Sequence, residues 1–136
     1  MSVTDPDDPL INDPPRLVDF DYVHGVLLLY LHRPVNTKWI FAFENMGISG
    51  GTYRFIHGKE PDRFSVSDEI VRIAAREDEV QLIIDLFKEW LPIANRVYEG
   101  TIRREKEEEE GRQRQQLQKE IEEQERRLRV RGRARI

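Results

Sequence analysis

Cysteine is absent from the chain, which excludes disulfides, thiolate metal sites and a cysteine nucleophile, and fits a reducing compartment. Long hydrophobic runs are missing too: the longest, Val26 to Leu31, is far too short to cross a bilayer. The first residues are acidic where a secretory leader would be basic and then apolar, so a cytoplasmic location is the expectation. Histidine is scarce. His24, His32 and His57 show neither the i,i+4 spacing nor the His-Glu-x-x-His form that makes a metal site legible. Asp19 and Asp21 with His24 close behind are the nearest approach to one, but as the wet face of a strand they need no such role. No metal, cofactor or catalytic residue is predicted.

What the chain does have is charge. Of its 136 residues 35% are Asp, Glu, Lys or Arg and only 38% are hydrophobic, so part of it is expected outside any packed globule. Six Phe, four Tyr and two Trp supply bulk for one modest core. The net charge of −4 is unevenly spread: residues 1–100 carry 10 basic against 17 acidic side chains, residues 101–136 carry 12 against 9. The two parts face different surroundings.

Residues 1–16 combine four Asp with four Pro and read as a flexible acidic arm with no packed element, Leu10 and Ile11 being its apolar anchors. From Leu17 the period becomes two, Val18, Phe20 and Tyr22 alternating with Asp19 and Asp21, the pattern of a half-buried strand. Val26 to Leu31, apolar on both faces, reads as a central strand. The same reasoning predicts a third strand over "TKWIFAFEN", a fourth over "TYRFIH" and a fifth over "RFSV", in an antiparallel meander. "SDEIVRIAA" fits either a short capped helix or a strand, with the helix preferred.

After Asp78 the period is helical. Val80, Ile83, Ile84, Phe87, Trp90, Leu91, Ala94, Val97, Tyr98 and Ile102 recur at spacings of three and four. Pro92 interrupts the stripe without shifting its phase, which predicts one continuous kinked helix rather than two. From Arg103 the apolar residues almost vanish, and Glu108–Arg112, Glu110–Arg114, Glu122–Arg126, Glu123–Arg127 and Glu125–Arg129 are acid-first pairs at i,i+4, each worth about 0.2–0.5 kcal/mol. Leu117, Ile121 and Leu128 fall at heptad positions d, a and a, with Gln124 at the intervening d. They are the candidate contacts for a partner helix or for self-association. Gly111 marks a hinge.

Two motifs touch on chemistry. Gly47-Ile48-Ser49-Gly50-Gly51 matches the G-x-S-x-G nucleophile elbow, but the elbow needs a strand before the serine and a helix after it. The β-branched and aromatic residues that follow argue for a glycine-rich hairpin connection instead. No Gly-Lys-Ser or Gly-Lys-Thr closes the stretch as a phosphate loop. The second motif is the tail: Arg126, Arg127, Arg129, Arg131, Arg133 and Arg135 stand without an acid among them, a set suited to phosphate contacts without base readout.

The expected architecture is therefore α+β. An antiparallel sheet of four or five strands would pack on a C-terminal helix that extends as a charged, coiled-coil-like arm. Residues 17–102 form the globular domain and 103–136 the arm. Phe20, Leu28, Trp39, Phe41 and Phe55 are expected inside, against Ile83, Phe87, Trp90 and Leu91. The functional expectation is a non-enzymatic interaction module, an adaptor or small subunit docking by its sheet edge or its projecting helix. The alternative is an accessory nucleic-acid binder using the arginine tail.

Overall fold

The computed structural model describes residues 8–49 and 51–136, with Ile48 and Ser49 as backbone only. Most of the acidic arm's first half, residues 1–7, lies outside the described residues. The fold is α+β: a four-stranded antiparallel sheet and a long C-terminal helix, α4 (Val80–Arg133). Strand β1 (Leu17–Val23) and β2 (Val26–Leu31) form a hairpin. His24 and Gly25, both at positive φ (51° and 77°), make its two-residue turn, as the right-handed twist of paired strands requires. Sheet order is β1-β2-β4-β3, with β3 at Ser65–Ser67 and β4 at Ile70–Ala74. β2 is central as expected. It buries Leu27, Leu29 and Leu31 toward α4 and leaves Val26, Leu28 and Tyr30 half-buried on the other face.

Several segments differ from their expected type. "TKWIFAFEN" is a helix, α2 (Thr37–Glu44), rather than a strand. Its aromatics at positions 39, 41 and 43 mimic period two, but the buried set is Trp39, Ala42, Phe43 and Met46, the i, i+3, i+4, i+7 stripe of a helix face. Asn36 starts it, its Oδ1 accepting from the Trp39 N–H at 2.8 Å. Phe41 is left 63% exposed. "SDEIVRIAA" is strand rather than helix: Asp68 turns the chain at φ 55°, and Val71 and Ile73 alternate inward, as β-branched residues favour. "TYRFIH" forms no strand. The Trp90 indole N–H donates to the Arg54 carbonyl at 2.7 Å, so a side chain replaces a ladder there. Of "RFSV" only Ser65 and Val66 belong to a strand, while Phe64 turns into the core.

The segment before Leu17 is packed as well. Asp8 caps a single helical turn, α1 (Pro9–Asn12), and Leu10 is buried against the body. Arg33 holds this turn by donating to the Pro9 and Asp13 carbonyls at 2.8 and 3.2 Å. Asp-Pro is a cap followed by a residue preset for a first helical turn, which outweighs the proline bias against order.

α4 buries Ile83, Ile84, Leu86, Phe87, Trp90, Leu91, Ala94 and Tyr98 and runs unbroken through Pro92 and Gly111. An aromatic cluster joins it to α2: Phe43 stacks on Trp39 with centroids 5.5 Å apart and meets Phe64, Phe87 and Trp90 edge-on. Each such side chain gains about 1.5–3 kcal/mol from burial. Of the other expected core residues, Phe20 is half exposed because β1 is an edge strand, Phe55 is half exposed in a segment that forms no strand, and Leu28 alternates to the outer face of β2.

Candidate partner-binding helix

Tyr98 is the last fully buried side chain of α4, and Ile102 the last that packs against the core. From there the helix continues to Arg133, a projection of about 45 Å at 1.5 Å per residue. Lys38 on α2 reaches Glu105 at 2.6 Å and braces its root. Leu117, Ile121 and Leu128 are 57%, 42% and 65% exposed and lie within about 40° of one another around the helix. Val130 is exposed on a different face.

The ion pairs within the arm, among the described residues, are Arg112–Glu109 and Arg126–Glu123, both at i,i+3. None of the five acid-first i,i+4 pairs forms. The i,i+4 side-chain contacts of the arm come from glutamine, with Gln113, Gln116 and Gln118 donating to Glu109, Glu120 and Glu122. Arg112 holds the Glu109 carboxyl below its ordinary pKa. Arg127, Arg129, Arg131, Arg133 and Arg135 are exposed and make no ion pair among the described residues, and neither do Glu107, Glu108 and Glu110. Unspent charge of both signs thus lies along one exposed rod.

The β1 edge is partly occupied by its own side chains. On β1, the carboxylates of Asp19 and Asp21 each accept the N–H of the next residue, Phe20 and Tyr22, at 2.8 Å. These are the N–H groups that the pairing with β2 leaves outward. Their occupation, together with the negative charge, blunts the edge. The opposite edge, β3, is three residues long. Sequence reasoning placed Asp19 and Asp21 on a wet face and missed this use; an acid preceding each outward residue of an edge strand was the available signal.

Other constellations lack chemistry. The His32 Nε2 donates to Asp13 at 2.9 Å, half of a catalytic-triad geometry, but Nδ1 already accepts the Arg16 N–H at 2.9 Å. No lone pair is left to act as a base. Ser49 ends a short helix, α3 (Met46–Ser49), and no regular element follows. An elbow has the reverse order, strand then helix. The flanking segments are not strands either, so the expected hairpin does not form; Gly50 lies outside the described residues. No three His, Asp or Glu side chains converge as a metal-holding group among the described residues, nor is any helix there long and apolar enough to cross a membrane. A groove of about 460 Å³ separates Asp13–Leu17 from α4 at Pro92; its charged lining residues are Asp13, Arg16 and Lys88, and the Asp13 carboxylate is taken up by His32.

No protein-family model matches this sequence, and comparison with curated proteins and with solved structures finds no match.

Proposed function

We propose that this protein is a non-enzymatic interaction module, an adaptor or small subunit, that docks through the projecting half of α4. The observation that carries the reading is a helix running about 45 Å past its last core contact with Leu117, Ile121 and Leu128 exposed on one stripe. A helix of mostly charged residues gains little by itself from such a stripe, whereas a partner groove reads it as i, i+4 and i+11 anchors. The capped β1 edge and the short β3 favour the helix over the sheet edge as the docking element.

A second reading, phosphate contacts by the tail, draws on Arg127 to Arg135 standing exposed without acid partners. Affinity capture from nuclease-treated host extract separates the two, comparing the full chain with a version ending at Glu110. A defined protein that survives nuclease and is lost with the arm is the expected result. Nuclease-sensitive nucleic acid lost with the arm would replace it by the second reading, and equal capture by both versions would remove the arm from either.

A further inference from the structure

The charge order along the arm specifies one partner. Residues 105–110 carry five Glu and one Lys, residues 126–135 six Arg and no acid. Leu117 and Ile121, the adjacent apolar pair, sit midway between these blocks. We infer that the arm associates with the arm of a second copy of this chain, antiparallel, about a two-fold axis level with Lys119. This rests on the reading of the arm as a docking element.

With Leu117 at d and Ile121 at a, antiparallel pairing sets each a residue against a d residue of the other helix. Leu117 then meets Ile121 of the second copy, and by symmetry Ile121 meets Leu117, which makes two central apolar layers. Outward, Arg114 meets Gln124, Glu110 meets Leu128 and Glu107 meets Arg131. Glu107 and Glu110 lack an ion pair among the described residues, and so do Arg131 and Arg127, which flanks the Leu128 layer. The last helical residue, Arg133, falls level with Glu105, so the overlap ends at the Lys38–Glu105 ion pair and stops short of the apolar core contacts, the last of which is Ile102. Glu120 faces its own symmetry mate beside the axis and opposes association, which keeps the dimer weak.

Parallel pairing gains a third apolar layer, Leu128 on Leu128. It also stacks Glu107, Glu110, Arg114 and Arg131 on themselves and lays two six-arginine tails side by side, which like-charge repulsion disfavours. The antiparallel order converts both blocks from repulsion to attraction.

Sedimentation equilibrium of the full chain tests this. A monomer–dimer equilibrium that weakens with salt is expected. Glu107→Arg with Glu110→Arg in one chain, and Arg127→Glu with Arg131→Glu in another, should each raise the dimer dissociation constant by about tenfold or more. Mixing the two variants should restore it. Because the chain has no cysteine, Arg114→Cys and Gln124→Cys variants report orientation: antiparallel pairing cross-links only their mixture, whereas self-cross-linking of either alone overturns the proposal. A chain that stays monomeric at every concentration also overturns it. If that monomer still captures a protein through the arm, the docking reading survives; if it captures nothing, both fall.

Discussion

Tyr98 ties three parts of the chain together with one oxygen. Its hydroxyl donates to Asp8 at 2.8 Å and accepts from the Asn36 side-chain amide at 3.1 Å, while its ring is 1% exposed. Asp8 and Asn36 are also the caps of α1 and α2. Burial first, and then the Asp8 carboxylate, push the phenol up to about 12, although the Asn36 bond lowers it. Tyr98 should therefore resist ionisation in an ultraviolet titration of the folded protein between pH 10 and its folded value; burial raises Tyr53 as well. Because the folded pKa of Tyr98 is raised, its contribution to stability is intact below the unfolded value and fades as pH rises toward 12. Tyr98→Phe should cost about 1–3 kcal/mol by denaturant unfolding, since it strands two polar partners. Asp13 behaves in the opposite sense. The His32 hydrogen bond lowers its pKa, so its contribution is present above the ordinary carboxylate value and is lost as pH falls through the lowered one. The difference in melting temperature between the native chain and Asp13→Ala should accordingly shrink on acidification below about pH 4. Neither polar node was legible beforehand, because each joins residues remote in sequence and only the fold brings them together.

Among the elements, legibility followed the length of the pattern. The ten-residue stripe from Val80 to Ile102 fixed α4 and its core face, since each turn repeats the same signal and one proline cannot cancel it. Short segments misled because a few aromatics satisfy two periods at once: Trp39, Phe41 and Phe43 alternate, yet Trp39, Ala42, Phe43 and Met46 are what the core takes. The Asn36 cap was the deciding local cue. Continuity through Pro92 means that the Lys88 carbonyl receives no N–H from four residues on. Pro92→Ala should therefore raise stability by about 1–3 kcal/mol, read as a higher denaturation midpoint. At the sheet edge, Asp19→Thr with Asp21→Thr removes both carboxylate acceptors and raises local β-propensity. Thermal stability should change little while light scattering rises with concentration, through edge-to-edge pairing. Unchanged scattering would show that β1 does not need its acids.

The described residues form a small α+β body with one projecting helix as its handle. The body spends Trp39, Phe43, Phe64, Phe87, Trp90 and Tyr98 on its own core and leaves Phe20, Phe41 and Phe55 exposed, whereas the handle keeps Leu117, Ile121 and Leu128 and charges of both signs exposed. That division was visible in composition, from the charge asymmetry about residue 100; the stripe of Leu117, Ile121 and Leu128, exposed in the fold, was visible in spacing. What sequence could not supply was the bonding of Asp19 and Asp21 to the outward N–H groups of β1. The most direct measurement is quantitative capture from nuclease-treated extract by the full chain and by its Leu117→Asp, Ile121→Asp variant, with folding of both verified by circular dichroism. The docking account predicts that the variant keeps its helix content and its arginines but loses the bound protein. Capture unchanged by the two aspartates would contradict it.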